Sequence, residues 1–235
     1  MVELVSVIVP TYNEDGNLPA AIRSARTDDV VEVIVADAGS TDHTLPIAHE
    51  LADAVVTAPR NRAAQLNAGA AAASGSILVF LHADSCLAPG SVTAVRSTLA
   101  EPGVKGGAFT VRIGEGVGLG VITWGTNLRS RWLGLPYGDQ AIFVGAETFR
   151  DLDGYRSLEI MEDVDFVRRL RRIGGLKLID LPVATSGRRW RQNGVLRTTF
   201  ANTSALTLFQ LGVAPQRIRR YYDSLVPNRQ APGTK

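Results

Sequence analysis

The chain has 235 residues, of which 25 are lysine or arginine and 23 are aspartate or glutamate, so its formal net charge at pH 7 is +2. A charge this small, without a dense basic tract, excludes a typical nucleic-acid-binding protein. The single cysteine, Cys86, excludes an internal disulfide. Because the sequence shows no signal-type N-terminus and no apolar stretch of roughly 20 residues, we expect a cytoplasmic protein without a membrane span.

The first 100 residues alternate short β-branched runs with helical segments. We predict strands at 4–10, 30–36, 54–57 and 76–81, and helices at 17–27, 42–52, 61–73 and 89–100. Ser40 or Thr41 is expected to precede the second helix, which begins at Asp42, and Pro89 is expected to open the fourth. This alternation predicts an α/β fold with a mostly parallel sheet and helices on both faces.

The pattern changes after Pro102. We predict strands at 106–113, 140–144 and 176–179, and helices at 122–132, 162–173 and within 191–222. No linker or internal repeat divides the chain, so 1–235 is expected to form one domain. Its expected parts are two halves with different roles, at about 1–100 and about 101–190, and a helical segment at 191–235.

Three of the predicted strands end in polar residues that include a carboxylate. The runs are Val5–Glu14, Val33–Asp42 and Leu78–Ser85, and the carboxylates are those of Glu14, Asp37 and Asp84. Ligands of open α/β sheets bind at the carboxyl ends of the strands, so one cleft is expected to collect these acids. Neither a GxGxxG loop nor a P-loop follows the first strand, which argues against a dinucleotide-binding protein.

The ordered motifs resemble those of the inverting glycosyltransferases of family 2, which have the GT-A nucleotide-diphospho-sugar transferase fold. The resemblance covers about residues 4–190 and rests on five motifs, at 5–14, 37–44, 62 with 67–69, 82–84 and 162–163. Gln65 to Gly69 and His82-Ala83-Asp84 further resemble a bacterial subgroup described as associated with radical-SAM or selenoprotein-type gene sets. The acceptors of that subgroup are poorly defined, so the resemblance names no product.

The resemblance implies a donor site for a nucleoside-diphosphate sugar, with a uridine donor favoured over a guanosine donor. The residues that match it are Pro10, Tyr12, Glu14, Asp37, Arg62, Asn67, Ala83 and Asp84. Tyr12 can stack on a base, and Glu14 can accept hydrogen bonds from ribose hydroxyls. Asp84 is expected to hold Mn²⁺ or Mg²⁺, since hard cations take carboxylate and phosphate oxygens. His82 stands where the family usually has an aspartate, and Asp42 is read as mainly structural.

The resemblance also implies that about 1–100 is a nucleotide-binding half and that about 101–190 is an acceptor and catalytic half, which supplies a catalytic base. Asp163, with its pKa tuned by Glu162, is expected to deprotonate the acceptor hydroxyl. Polar groups that could hold the acceptor or a phosphate are Asp139, Gln140, Arg188, Arg189 and Trp190. The reaction expected is a metal-assisted transfer of a sugar to an unidentified hydroxyl, with inversion at the anomeric carbon.

Several alternatives stay open. The chain could be a degenerate member that binds nucleotide sugars without catalysis, a nucleotidyltransferase on a related fold, or a retaining transferase. The apolar parts of 116–135 and 200–214 could form core, a homodimer interface or a peripheral contact with the inner face of the membrane.

Overall fold

A computed structural model describes residues 2–27, 30–134 and 136–227. In the first half of the chain, strands β1 (Val5–Thr11), β2 (Val31–Asp37), β3 (Ala54–Thr57) and β4 (Ile77–Phe80) alternate with four helices. These are α1 (Leu18–Ala25), α2 (Thr44–Leu51), α3 (Arg62–Ala72) and α4 (Ser91–Leu99). All four predicted strands and all four predicted helices are therefore confirmed, with bounds shifted by up to two residues.

The second half mixes strand directions. The short strand β5 (Ser85–Cys86) still belongs to the first half, between β4 and α4, and the strands of the second half are β6 (Val104–Ile113), β7 (Ile142–Gly145) and β8 (Gly175–Thr185). The helices are α5 (Leu119–Leu133), α6 (Ala146–Asp151), α7 (Glu162–Ile173), α8 (Arg188–Asn193), α9 (Val195–Gln210) and α10 (Pro215–Leu225). A short 3-10 helix at Gly138–Gln140 precedes β7.

Within the described residues, eight strands form one sheet in the order β3-β2-β1-β4-β7-β6-β8-β5. Strands β1 to β4 are parallel, β6 is parallel to β8, and the other three pairs are antiparallel. Thr11 pairs with Asp37, and Ile8 pairs with Phe80. The carboxyl ends of β1, β2 and β4 therefore share one edge, which brings together the loops predicted to carry the site.

The sheet is covered on both faces because successive side chains of a strand point to opposite sides. Val5, Val7 and Val9 pack with buried residues of α1, α2 and α4 on one face. On the other face, Ile8 packs with buried residues of α3, α6 and α7. The helices that approach the site are thus fixed by two separate apolar layers.

The last helices form a third apolar cluster. Ala201 and Ala205 of α9 pack against Ile218 and Tyr222 of α10. The sequence predicted helix within 191–222, and the structure divides this region into three helices, with breaks at Gly194 and near Gly212. Both glycines have positive φ, at 84° and 80°, a conformation that stops a helix at little cost only for glycine.

Three predicted details are wrong. Pro89 does not open α4, which begins at Ser91 after Gly90. Helix α2 begins at Thr44 rather than Asp42, and β8 extends far beyond the predicted 176–179. The sequence reading also missed β5 and α6, whose lengths of two and six residues are too short for a periodic signal. The division into three functional parts stays a prediction.

Candidate active site

The predicted cleft lies at the shared carboxyl edge of β1, β2 and β4, beside the first turns of α7 and α8. The main-chain NH of Leu81 donates to the carbonyl oxygen of Ile8 at 3.0 Å, which extends the pairing of β4 with β1 into this edge. The carbonyl of Asp84 accepts from the NH of Ser186 at 3.1 Å. The loop that carries Asp84 is therefore tied to the segment that carries Arg188.

The guanidinium of Arg60 already lies over the Tyr12 ring, on the predicted nucleoside side. The guanidinium carbon of Arg60 lies 3.7 Å from the ring centroid, a distance typical of a cation–π contact. Tyr12 is half-buried and Arg60 is exposed. The predicted stacking of a base on Tyr12 stays a prediction, and in this geometry the base would share or exchange the ring with Arg60.

Asp37 is 1% exposed, and its carboxylate is saturated by internal donors. Its Oδ1 accepts from Thr11 Oγ1 at 3.0 Å and from Ser40 Oγ, while its Oδ2 accepts from the main-chain NH groups of Gly39 and Ser40 at 2.8 Å each. A carboxylate has about four lone-pair positions, and all four are used. The predicted contact of Asp37 with the base would therefore require one of these bonds to be exchanged.

The polar residues of α3 face the protein interior. Gln65 Nε2 donates to the carbonyl oxygens of Thr11 at 2.8 Å and Ala36 at 2.9 Å, so it bridges the ends of β1 and β2. Asn67 donates to the carbonyl of Tyr155 at 2.7 Å and accepts from its NH at 2.9 Å. Asn67, predicted to bind the donor, has its amide engaged by this turn. Gln65 was signalled by its place in an Ala-rich helix.

The donor side of the cleft is dominated by one arginine between two acids. Arg188 Nη2 lies 2.7 Å from Glu14 Oε1 and 4.0 Å from Asp84 Oδ2. Glu14 also accepts from Asn17 Nδ2 at 2.7 Å. Partial burial lowers the pKa of Arg188, but the bond to Glu14 and the charge of Asp84 outweigh that effect and raise it. Arg188, predicted on the acceptor side, thus lies beside the predicted donor residues.

Asp84 is the predicted cation ligand. Burial and the nearby charge of Glu14 raise the pKa of this carboxyl, against the opposing charges of three arginines. No cluster of three or more potential metal-ligating side chains occurs in the part of the chain that the structure describes. Asp84 still fits a cation that takes most of its ligands from phosphate and water, because Mg²⁺ sites of this kind use one or two carboxylates.

The neighbours of Asp84 have different surroundings. Ala83, predicted at the donor site, is 5% exposed and belongs to the apolar layer beneath the sheet. Pro10 is half-buried and pairs with Ala36 in the sheet. Burial, together with the charges of Arg62 and Arg189, lowers the pKa of His82 well below its ordinary value. His82 is therefore neutral at pH 7.

Arg62 connects the two sides of the cleft. It begins α3, and its Nη1 lies 3.6 Å from Glu162 Oε1. Desolvation lowers its pKa, but the charges of four carboxylates raise it overall: Glu162, Asp163, Asp84 and Asp139. Glu162 itself is 5% exposed, and burial raises its pKa against the opposing charge of Arg62.

Asp163 is held by two main-chain donors. Gly138 NH donates to Oδ2 at 2.7 Å and Val164 NH donates to Oδ1 at 2.7 Å. A Cβ atom on Gly138 would lie 3.1 Å from Asp163 Oδ2 and 3.0 Å from His82 Nε2. A side chain at position 138 would crowd both groups, so glycine lets the backbone of this turn approach the carboxylate closely.

Asp139 follows directly in the same turn. Burial, opposed by Arg129 and assisted by Asp163, raises its pKa from 3.8 to about 6. Within the described residues, its Oδ1 atom is buried without a hydrogen-bond partner. Burial also raises the pKa of Tyr137 to about 12, and the guanidinium carbon of Arg129 lies 3.7 Å from its ring centroid.

Gln140 does not line the cleft, although the sequence placed it at the acceptor. The side chain is 0% exposed. Its Nε2 donates to the carbonyl of Phe109 at 2.8 Å, and its Oε1 accepts from Ser130 Oγ at 2.7 Å and from the NH of Tyr137 at 3.2 Å. A buried amide with these bonds supports the turn from beneath, so we do not retain Gln140 as an acceptor contact.

The remaining predicted acceptor residues, Arg189 and Trp190, have different surroundings. Arg189 is exposed, and its Nη1 lies 3.3 Å from Tyr222 Oη. Trp190 packs against a small apolar cluster that contains Val111, Ile113 and Leu119. Its Nε1 is buried and has no partner within the described residues. The ring of Trp190 is thus occupied by packing, and its predicted stacking on a sugar stays a prediction.

Comparison with known proteins matches this arrangement to one family. The model for glycosyl transferase family 2 matches residues 6–155, more than half of the chain. An uncharacterized glycosyltransferase of Nostoc sp. is 33% identical over 94 residues, which are 36% of this chain and 29% of that relative. The match therefore spans less than a third of the relative's length.

Solved structures share the fold. A mannosyltransferase of Pyrobaculum calidifontis, solved with GDP-Man and Mn²⁺, has a TM-score of 0.67 at 21% identity over 95% of this chain and 69% of its own. Glucosyl-3-phosphoglycerate synthase of Mycobacterium tuberculosis, solved with Mn²⁺, UDP and glucosyl-3-phosphoglycerate, has a TM-score of 0.62 at 23% identity, over 90% of this chain and 81% of its own. These neighbours confirm the predicted GT-A fold, and the family match shows that the chain belongs to glycosyl transferase family 2.

Proposed function

We propose that the protein transfers a sugar from a nucleoside-diphosphate sugar to a hydroxyl acceptor, with inversion at the anomeric carbon. The observation that carries this proposal is the position of Arg62, whose Nη1 lies 3.6 Å from Glu162, next to Asp163, and whose pKa is raised by the charges of Asp84 and Asp163. A donor held beside Asp84 would thus present its anomeric carbon toward a carboxylate across the cleft. Such an arrangement suits a one-step displacement.

Asp163 is the proposed general base. Its two oxygens each accept one main-chain hydrogen bond, which fixes the carboxylate and leaves one further lone-pair position on each oxygen. In the reaction, the acceptor hydroxyl gives its proton to Asp163 as its oxygen bonds to the anomeric carbon. The bond from that carbon to the diphosphate oxygen breaks, and its electron pair leaves with the diphosphate.

The donor side would supply charge for the diphosphate. Arg188 can donate two hydrogen bonds to phosphate oxygens in the manner typical of arginine. Asp84 would hold a bound Mn²⁺ or Mg²⁺, and the cation would neutralise charge on the leaving group. Two structural neighbours were solved with Mn²⁺ and a nucleotide or nucleotide sugar, which supports this cofactor class for the chain. A uridine donor in preference to guanosine stays part of the proposal.

The replacement Asp163→Asn tests the proposed base. Asparagine has nearly the same size as aspartate and can still accept hydrogen bonds through its amide oxygen, but it cannot take the proton of the acceptor hydroxyl. We expect the variant to keep binding a nucleoside diphosphate with Mn²⁺, measured as a rise in melting temperature. Sugar transfer, or hydrolysis of the donor sugar, is expected to fall by about a thousandfold. The exposed Asp151 offers a matched control, and Asp151→Asn is expected to leave both measurements unchanged. Undiminished turnover of Asp163→Asn would contradict the assignment.

A second candidate is a member of the family that binds nucleotide sugars without transfer. It is favoured by the ion pair of Arg188 with Glu14, which engages a predicted donor residue, and by His82 in place of the usual aspartate. Slow hydrolysis of a UDP- or GDP-sugar that requires Mn²⁺ and is lost in Asp84→Ala would exclude this candidate. Binding with no hydrolysis or transfer to any hydroxyl acceptor would support it.

A further inference from the structure

Helix α5 is attached to the sheet by polar side chains. Asn127 accepts from the NH of Val111 and donates to its carbonyl, both at 2.9 Å, and Thr123 Oγ1 accepts from the NH of Ile113 at 3.2 Å. Ser130 is 3% exposed and donates to Gln140. The usual surface helix turns its apolar side to the core and its polar side to water. Helix α5 does the reverse over most of its length.

The outward side of α5 is apolar. Val121, Trp124, Leu128 and Trp132 of α5 are spaced three or four residues apart, and Val117 lies in the loop just before the helix. At this spacing the side chains share one face. The two tryptophans are 66% and 81% exposed, and Val117 is 98% exposed. A row of this kind is far more apolar than the surface of an ordinary soluble helix.

The start of α9 lies beside the start of α5 and carries two more exposed apolar side chains. Leu196 and Phe200 are 86% and 61% exposed and lie one turn apart. Val195 packs against the small apolar cluster that contains Leu119, and a Cβ atom on Gly118 would lie 3.6 Å from Val195 Cγ1. The two helices are therefore neighbours at this point. We define the apolar face as the exposed side chains of Val117, Val121, Trp124, Leu128, Trp132, Leu196 and Phe200.

The chain around the apolar face is basic. Segment 116–134 contains two arginines and no acid, and segment 181–211 contains four arginines and no acid. Three of these six, Arg129, Arg188 and Arg189, contact residues of the cleft or of α10 instead. The acids next to these segments in sequence are Glu115 and Asp180, and Asp180 lies 2.8 Å from Arg131. Arg191 and Arg197 are exposed beside the apolar face. Such an apolar surface, bordered by basic side chains, is complementary to a partner that offers an apolar interior beneath a layer of negative charge.

We propose that the apolar face docks onto the surface of a bilayer that contains anionic phospholipid. Tryptophan and arginine are the side chains that favour the water–lipid boundary, because each combines apolar area with a polar group. Among the described residues no helix is long and apolar enough to cross a bilayer, so the contact lies along the surface. A second copy of the chain is disfavoured because a two-fold contact would bring the two basic rims together.

The docked helix leads directly to the active-site turn. Helix α5 ends at Leu133, and Gly138, which donates to Asp163, follows five residues later. A chain of five residues spans at most about 18 Å. Docking would therefore place the acceptor side of the cleft close to the bilayer. The proposal itself does not depend on glycosyl transfer, because it rests on the exposed side chains and the charge beside them.

Vesicle flotation of the full chain tests the proposal. We expect the protein to float with vesicles that contain about one third phosphatidylglycerol, to bind pure phosphatidylcholine at least about tenfold more weakly, and to dissociate as salt rises toward about 0.5 M. The double variant Trp124→Ser/Trp132→Ser is expected to bind at least about tenfold more weakly than the unchanged protein, because both rings leave the apolar face. Ile173→Ser, which removes an apolar side chain exposed elsewhere, is the matched control.

A second measurement needs no variant. Brominated lipids quench tryptophans at the bilayer surface, so the fluorescence of the two exposed tryptophans is expected to fall on binding while half-buried Trp190 retains its emission. Sedimentation of the protein without vesicles tests whether a second copy of the chain covers the apolar face instead. Failure of the protein to float with anionic vesicles, or equal flotation of the double variant, would overturn the proposal. So would a dimer of the unchanged protein that is absent in the double variant. Transfer activity is not part of either readout.

Discussion

Replacing Asp139 with asparagine is expected to stabilise the folded protein at pH 8. Asp139 lies in the turn that holds Asp163, and its Oδ1 atom is buried without a partner among the described residues. Burial, opposed by Arg129 and assisted by Asp163, raises its pKa from 3.8 to about 6. The ionised carboxylate is therefore less favourable in the folded protein than in the unfolded chain.

The magnitude follows from the two pKa values. The carboxyl titrates at about 3.8 when unfolded and at about 6 when folded, and each unit corresponds to about 1.36 kcal/mol. The stability associated with this group is fully present below pH 3.8 and is lost as the pH rises to about 6, where the loss reaches about 3 kcal/mol. Asparagine cannot ionise, so Asp139→Asn recovers up to that amount at pH 8. For a protein of this size the gain corresponds to a rise in melting temperature of about 6 to 12 °C.

Urea unfolding of both proteins at pH 8 and pH 4 measures the effect. We expect the gain in the free energy of unfolding to be largest at pH 8 and to fall below about 1 kcal/mol at pH 4, where little of the carboxyl is ionised in the folded state. Asp151→Asn, at an exposed position, is expected to change neither value. Equal stability of Asp139→Asn and the unchanged protein at pH 8, or the same gain at both pH values, would refute the reasoning.

Three further substitutions test other contacts of the site. Asn67→Ala removes two hydrogen bonds to a buried turn and is expected to lower the free energy of unfolding by about 1 to 3 kcal/mol in urea titrations; an unchanged midpoint would contradict this. Gly138→Ala crowds Asp163 and should reduce kcat by about tenfold or more with little change in donor KM, whereas a KM effect alone would not fit. Arg188→Ala should weaken nucleoside-diphosphate binding by about tenfold in calorimetry, while Arg26→Ala, at an exposed ion pair, should not.

The sequence predicted the first half of the fold well because its signals are local. Each strand from β1 to β4 is a β-branched run, and each following helix is marked by its own apolar spacing. The strands of the second half were harder to bound. The buried positions of β8 are Val183 and Thr185, at its carboxyl end, and β5, which precedes α4, has just two residues. Such elements exist because a neighbouring strand pairs with them, and a single sequence does not show that neighbour.

The carboxylates of the site were easier to place than to interpret. Polar residues at strand ends marked the edge where Glu14 and Asp84 lie on either side of Arg188. The sequence did not distinguish a polar group that faces a ligand from one that supports the loop beside it. Asp37, Asn67 and Gln140 are of the second kind, because their oxygens and amides are used by main-chain groups. Which partner satisfies a buried polar group depends on tertiary structure.

The supporting residues connect the apolar face to the proposed base. Ser130 of α5 donates to Gln140, and Gln140 in turn accepts from Tyr137 and donates to Phe109, which fixes the turn. The next residue of that turn, Gly138, donates to Asp163. A helix held to the sheet by polar bonds therefore does two things at once: it leaves its apolar side outward, and it orients the carboxylate through a short series of hydrogen bonds. One of the inward polar bonds of α5, from Ser130, supports the turn, and those of Asn127 and Thr123 hold the helix to β6. The exposed tryptophans are thereby left on the side that a bilayer surface would cover.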